Sequence, residues 1–134
     1  MRLFLDSSFI VALRMGRDQN AARAAEQWRR CREQRARFLT TSLVLAEVAA
    51  FLNGRGHHAH LAETGRLLMH SPAVQFVWVD EDLMRKGWDL LVTRPDKRWS
   101  LADCVSFVVM QREGLDAALT FDEHFAQAGF VIRP

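Results

Sequence analysis

The chain has 134 residues with a formal net charge of +2, and 49% of its residues are hydrophobic while 25% are charged. This length and composition are typical of one globular domain with its own apolar core, so residues 1–134 are expected to form a single domain. The charge balance excludes a polycation, and no apolar run approaches the length that spans a membrane.

The first half of the chain alternates short apolar strands with helices. In order, the sequence predicts a strand over Arg2–Leu5, helices over Ser7–Met15 and Gln19–Arg35, a short strand over Phe38–Thr40, and helices over Ser42–Leu52 and His57–His70. The pair Asn53-Gly54 ends the third of these helices, and Pro72 follows the fourth.

The second half continues the alternation. It predicts a strand over Val74–Val79, a helix over Asp80–Val92, a polar loop over Thr93–Trp99, a helix over Ser100–Glu113, a strand over Ala117–Phe121, a short helix over Glu123–Gln127 and a last strand over Phe130–Ile132. This order favours an α/β fold, with a mainly parallel sheet of four to five strands covered by helices on both faces. Sites in such sheets form beyond the carboxyl ends of the strands.

The two cysteines, Cys31 and Cys104, are isolated in the sequence and do not form a C-x-x-C pair. Isolated thiols are typical of proteins in a reducing compartment. The start of the chain is not expected to act as a secretion signal, because Asp6 interrupts it and Phe9–Leu13 is too short for a signal core. The protein is therefore expected in the cytoplasm, away from membranes.

Three aspartates stand where a predicted strand gives way to a helix or where a helix begins. Asp6 follows the first strand, Asp122 follows Ala117–Phe121, and Asp103 lies three residues after Ser100. Each one alone is explained as a helix cap, with Ser100 and Asp103 forming a capping box. If the two strands are neighbours, however, the three carboxylates converge on one edge of the sheet.

Glu47 lies in the predicted helix Ser42–Leu52, which is apolar on nearly every side and is expected to be buried. An ionised carboxylate inside such a helix is costly unless it is paired or bound to a cation. The residue pattern leaves three explanations open: a cation ligand, a buried arginine partner, or a protonated glutamate.

A cluster of Asp6, Glu47, Asp103 and Asp122 would repel itself. The pKa values of its members would rise, or a divalent cation would neutralise them. All-oxygen ligation suits Mg²⁺ or Mn²⁺ rather than Zn²⁺. His124 stands beside Asp122, where it would orient a ligand or simply cap or pack.

Four segments of the chain resemble the acidic motifs of one nuclease family, the PIN-domain nucleases. In chain order they are Leu3–Ser8, Thr41–Val48, Ser100–Cys104 and Leu119–Phe125, the last followed by Gly129-Phe130. The resemblance runs from Arg2 to Ile132. In length the chain is similar to the VapC-type toxins of bacterial toxin–antitoxin modules.

The resemblance implies a PIN-like three-layer α/β/α sandwich, an Mg²⁺ or Mn²⁺ site, and hydrolysis of RNA phosphodiester bonds by a toxin. It also implies a homodimer and a small antitoxin protein as partners. Asp6, Glu47, Asp103 and Asp122 correspond to the acidic quartet of the family, as catalytic residues and metal ligands. Ser8 and Ser100 correspond to positions where a hydroxyl supports the site.

Trp99 lies just before the third motif, beside Arg94, Lys97 and Arg98. An aromatic ring among cations can stack on a base while the cations hold phosphates, so Arg98 and Trp99 are predicted substrate contacts. The alternative is that Trp99 anchors the loop on the core. The segment from Arg14 to Arg37 contains eight arginines and three acidic residues. This local excess of positive charge would attract phosphates, or it is the solvated face of a helix.

Two other functions stay open from the sequence. A PIN-like RNA-processing nuclease without a toxin role would carry the same site. A receiver-like Mg-binding regulatory module also has strand-end aspartates, but it needs a lysine at a late strand end. The only lysines, Lys86 and Lys97, lie elsewhere.

Overall fold

The computed structural model describes residues 1–133. Five strands form one sheet in the order β3-β2-β1-β4-β5, and every neighbouring pair is parallel. The strands are β1 (Arg2–Leu5), β2 (Arg37–Thr41), β3 (Val74–Val77), β4 (Ala117–Leu119) and β5 (Val131–Arg133). The prediction of a mainly parallel sheet with four to five strands is confirmed.

Within residues 1–133, seven α-helices flank the sheet in two groups, one formed by α1 to α4 and the other by α5 to α7. They are α1 (Ser7–Arg14), α2 (Ala21–Glu33), α3 (Ser42–Gly54), α4 (Leu61–His70), α5 (Glu81–Thr93), α6 (Leu101–Arg112) and α7 (His124–Gln127). This is the predicted three-layer α/β/α arrangement. Within residues 1–133, no helix is long and apolar enough to cross a membrane.

The three central strands are buried, as expected for a parallel sheet covered on both faces. Phe4, Leu39 and Leu119 are fully buried. Phe4 packs on Phe125 with ring centroids 6.1 Å apart. Phe125 also meets Phe107 of α6 edge to face at 5.0 Å. The core therefore ties α6 and α7 to the strand that carries Asp6 at its end.

Helix α5 packs very close to α6 at a glycine. A Cβ atom built on Gly87 would lie 2.4 Å from Cγ2 of Val105, well inside van der Waals contact. Only glycine permits this approach, which fixes the position of the helix whose first turn carries Asp103.

The structure departs from the sequence predictions mainly at the ends of elements. The segment predicted as one helix over His57–His70 is a 3-10 turn at His58–His60 followed by α4. It follows a turn in which Gly56 has φ of +75°. Strand β4 ends at Leu119 rather than at Phe121, so Thr120 and Phe121 lie beyond the end of the strand.

Candidate metal-binding active site

Two neighbouring parallel strands place the first and last acids of the quartet at the same edge of the sheet. Leu5 of β1 pairs with Leu119 of β4, and the backbone N–H of Asp6 donates to the carbonyl of Leu119 at 3.1 Å. Asp6 follows β1 directly, and Asp122 stands three residues beyond Leu119. The carboxyl ends of these strands therefore bring together side chains from opposite ends of the chain.

Asp6 is held by two hydroxyl groups. Oδ2 of Asp6 accepts from Oγ1 of Thr120 at 2.7 Å and from Oγ of Ser8 at 2.8 Å. The backbone N–H of Ser8 also donates to it, at 3.4 Å, so Asp6 is the N-cap of α1 as the local pattern predicted. Because these donors all use Oδ2, the other oxygen, Oδ1, is left available to a cation.

Thr120 is the supporting residue that the sequence analysis missed. Its Oγ1 donates to Asp6 and accepts from the backbone N–H of Asp122 at 2.9 Å, so one hydroxyl orients both acids. Ser8 Oγ also lies 3.1 Å from it. The one signal in the sequence is the position of Thr120 between β4 and Asp122, and the register of β1 and β4 is needed to interpret it.

Burial raises the pKa of Asp6 above its ordinary value, and the charge of Asp103 raises it further. Hydrogen bonds from Thr120 and Ser8 lower the pKa and offset part of this effect. Asp6 is only 4% exposed. A carboxylate in this position gains most from a nearby cation, because water solvates it poorly.

Asp103 is fixed by the predicted capping box at the start of α6. Its backbone N–H donates to Oγ of Ser100 at 3.0 Å, and its Oδ2 accepts from the backbone N–H of Ser100 at 3.0 Å. Asp103 is 7% exposed. Ser100 therefore has a supporting position, and the capping and clustering explanations hold together for the same aspartate.

His124 completes the cluster from α7. Its Nδ1 lies 2.9 Å from Oδ2 of Asp103 and 3.3 Å from Oδ1 of Asp122. One ligand atom from each of these three residues fits within 4.8 Å of the others. In residues 1–133 this is the only group of three or more potential ligands so close together.

Glu47 reaches the cluster from α3, but the expectation that its helix is buried on nearly every side is wrong. Val44, Val48 and Leu52 are buried, whereas Ala46, Glu47 and Ala50 are exposed. The helix packs on α1 and α4 with one side only. Glu47 therefore lies at the edge of an open cleft.

Glu47 lies close enough to the other three acids for their charges to act on its carboxyl. Partial desolvation raises the pKa of its carboxyl, and the charges of Asp6, Asp103 and Asp122 raise it further, while a hydrogen bond with Ser7 lowers it. Across residues 1–133, no arginine or lysine forms an ion pair with any of the four acids. Four carboxylates without an arginine or lysine partner in the described residues, around an available oxygen of Asp6, fit a hard divalent cation.

Trp99 does not present an open stacking face. It is 6% exposed, its Nε1 donates to Oε1 of Gln127 at 3.2 Å, and its ring meets Phe107 edge to face at 5.1 Å. The guanidinium of Arg94 lies 5.1 Å from the ring centroid. The ring therefore anchors the loop on the core, as in the second of the two explanations for Trp99. Arg98 is exposed and has no ion-pair partner in the described chain.

Comparisons with known proteins agree with this geometry. The sequence matches the PIN domain family over residues 3–131. It is 34% identical to the 23S rRNA-specific endonuclease VapC20 from two strains of Mycobacterium tuberculosis, over 98% of both chains. The crystal structure of Mycobacterium tuberculosis VapC20, described as a sarcin-ricin loop cleaving toxin, superposes with a TM-score of 0.89 at 31% identity. That match covers 98% of this chain and 99% of the other.

Proposed function

The chain belongs to the PIN-domain family as a VapC-type endoribonuclease, and from that premise we propose that Asp6, Glu47, Asp103 and Asp122 form its catalytic centre. The observation that carries this proposal is the convergence of four carboxylates at one edge of the sheet, with no arginine or lysine paired to them in residues 1–133. The family excludes the receiver-like alternative. We treat residues 1–134 as a single nuclease domain.

Members of this family use a divalent metal ion, and we propose Mg²⁺ or Mn²⁺ for this chain. Asp6 and Asp103 would hold the principal ion, with Asp122 and Glu47 completing or extending the site. Carboxylate oxygens are the ligands that both ions prefer. When bound, the ion would supply positive charge that neutralises the carboxylates. It would also act as a Lewis acid that stabilises negative charge on the phosphate.

The remaining side chains orient the acids. Ser8 and Thr120 donate hydrogen bonds to Oδ2 of Asp6, so the orientation of its other oxygen, Oδ1, is fixed before a metal ion binds. Ser100 holds Asp103 through the capping box, and His124 lies between Asp103 and Asp122. Partners of this kind fix ligand geometry before the ion binds, which lowers the entropic cost of binding.

We propose ribosomal RNA as the substrate class, because the similar VapC20 proteins are named for cleavage of 23S rRNA. Exposed arginines near the cluster, such as Arg98, would contact phosphates of the RNA. An RNA substrate and two free cysteines, Cys31 and Cys104, favour a cytoplasmic location.

Cleavage of purified ribosomal RNA with Mn²⁺ tests the catalytic centre. Asp6→Asn and Asp103→Asn are each expected to lower the cleavage rate about 100-fold or more, because each removes a charge that stabilises the transition state. Asp89→Asn is the matched control, since Asp89 is exposed on α5 and has no ion pair in residues 1–133. If cleavage survives either of the first two changes in a folded protein, the assignment is wrong.

An antitoxin protein is the proposed partner of the toxin. A groove of about 600 Å³ beside α2 is lined by Trp28 and Phe38, with Arg32 and Arg66 around it. Arg14 also lines this groove and is paired with Glu63 at 3.2 Å. This surface suits an acidic segment with apolar side chains. Co-purification with the protein encoded immediately upstream should succeed and weaken with Arg32→Glu. If induced expression without that protein leaves growth unchanged, a processing nuclease is the better description.

A homodimer is the second proposed assembly. Helix α5 carries the apolar side chains of Met84, Trp88 and Val92 four residues apart, and Trp88 and Val92 are 55% and 60% exposed. Four-residue spacing places them on one side of the helix. Light scattering should give the mass of two chains, and Trp88→Glu should give the mass of one.

A further inference from the structure

A second cavity adjoins the acidic cluster and is unused by the roles assigned above. It has a volume of about 660 Å³, and Ser7, Ser8 and Glu47 form the side that it shares with the cluster. Its other side combines apolar side chains with two polar ones, and the residues are Val11, Ala50, Phe51 and Phe121 with Asp18 and Asn20. A volume of this size lies within the usual range of small-molecule pockets, about 300–1,000 Å³.

Two phenylalanines face this cavity, and each has an arginine at its ring. Phe51, in the last turns of α3, is 36% exposed, and the guanidinium of Arg55 lies 4.8 Å from its centroid. Phe121 stacks on Phe9 at 5.9 Å, and the guanidinium of Arg23 lies 5.6 Å from its centroid. Neither Arg23 nor Arg55 forms an ion pair within residues 1–133, so both positive charges are available to a ligand.

We propose that this cavity binds an unpaired nucleobase of the RNA, from a nucleotide next to the phosphate that is cleaved. The base lies against the ring of Phe51, and Arg23 and Arg55 contact the phosphates on either side of it. This inference rests on the proposed nuclease function, because it takes the scissile phosphate to lie at the four carboxylates. Shared lining by Ser8 and Glu47 places the base within one nucleotide of that phosphate.

The combination of groups matches nucleic acid better than a protein segment. Aromatic rings bind bases of any sequence by stacking, while cations beside them hold the backbone. A cleft with aromatic rings on one side accepts a base that has left its helical stack, which favours loops and single strands over duplex RNA. The side-chain amide of Asn20 also lines the cavity and forms no hydrogen bond in the described residues, so it is free to bind the edge of the base.

Fluorescence anisotropy with short oligoribonucleotides tests the base pocket apart from catalysis. The probes are a labelled six-nucleotide RNA and its abasic counterpart with the same phosphates. The buffer contains Ca²⁺, which binds carboxylate oxygens and so neutralises the charge of the acids. The wild-type protein is expected to bind the RNA about 10-fold or more tightly than the abasic probe. Phe51→Ala should abolish this difference, and the conservative Phe51→Tyr should retain it.

Ala50→Leu gives an independent test, because Ala50 is exposed on α3 and a larger side chain there fills the cavity without burying new surface. It too should lower affinity for the RNA and leave affinity for the abasic probe unchanged. The base-pocket proposal is wrong if the wild type binds both probes with equal affinity. It is also wrong if Phe51→Ala prefers the RNA to the abasic probe as strongly as the wild type does. If the wild type does not cleave RNA in Mn²⁺, the nuclease assignment is wrong instead. The binding assay does not depend on cleavage, so the two failures are distinguishable.

Discussion

Thr120→Val removes one hydroxyl from beneath the acidic cluster while it keeps the shape of the side chain. The hydroxyl donates to Oδ2 of Asp6 at 2.7 Å and accepts from the backbone N–H of Asp122 at 2.9 Å. Thr40→Val is the matched control. Thr40 is equally buried, but its hydroxyl donates only to the neutral carbonyl of Leu5, at 2.9 Å.

The expected cost follows from the partners of each hydroxyl. A hydrogen bond to a charged acceptor stabilises by about 1.5–3 kcal/mol, and leaving the N–H of Asp122 without its acceptor costs about 1 kcal/mol more. The neutral bond of Thr40 stabilises by about 0.5–1.5 kcal/mol. Thr120→Val should therefore lower the free energy of unfolding by about 3 kcal/mol, against about 1 kcal/mol for Thr40→Val. In a domain of this size the difference corresponds to about 8 °C in Tm.

Thermal and urea unfolding at pH 8 in EDTA measure this difference without metal. A second readout is the Mn²⁺ concentration that gives half-maximal RNA cleavage, which Thr120→Val should raise about 10-fold because an orienting partner of a metal ligand is lost. Thr40→Val should leave that concentration unchanged. Equal losses of stability in the two variants, together with an unchanged Mn²⁺ requirement, would refute the role given to Thr120.

Three further predictions concern the packing and the buried groups. Gly87→Ala should lower the free energy of unfolding by about 1 kcal/mol, since overpacking against Val105 outweighs the gain in helix propensity, whereas Gly54→Ala, with open space around it, should not destabilise. Burial and the nearby charge of Asp103 raise the pKa of Cys104 to about 11, so iodoacetamide should label the folded protein slowly at pH 8 and about 10-fold faster per pH unit up to pH 10. Rapid labelling of this thiol at pH 8 would contradict its burial. Trp99→Ala should cost about 3 kcal/mol of stability and leave the RNA affinity of the folded protein within about 2-fold, and a larger loss of affinity would restore the stacking role.

The positions of the acids were predictable because the pattern that carries them is local. A short apolar strand followed by an aspartate, as at Asp6, indicates a strand end, and the spacing of Ser100 and Asp103 indicates a capping box. The parallel sheet follows from the alternation of strands and helices along the chain. These signals need no knowledge of which strands are neighbours.

The parts that were missed depend on contacts between distant segments. Thr120 supports Asp6 from 114 positions away, through the pairing of β1 with β4. The exposure of Glu47 depends on which side of α3 meets α1, and its apolar sequence gives no sign of that choice. The cavity lined by Phe51 and Phe121 likewise depends on the fold, because the fold brings α3 and the segment after β4 to the same cleft.

The anomalous difference map of a crystal soaked in Mn²⁺ tests the metal site directly, because it locates the ion independently of activity. A peak is expected within coordination distance of carboxylate oxygens of Asp6 and Asp103, and no such peak is expected in the same map of Asp103→Asn. A map with Mn²⁺ bound elsewhere, for example at His57 and His60, and none among the acids would contradict this metal site.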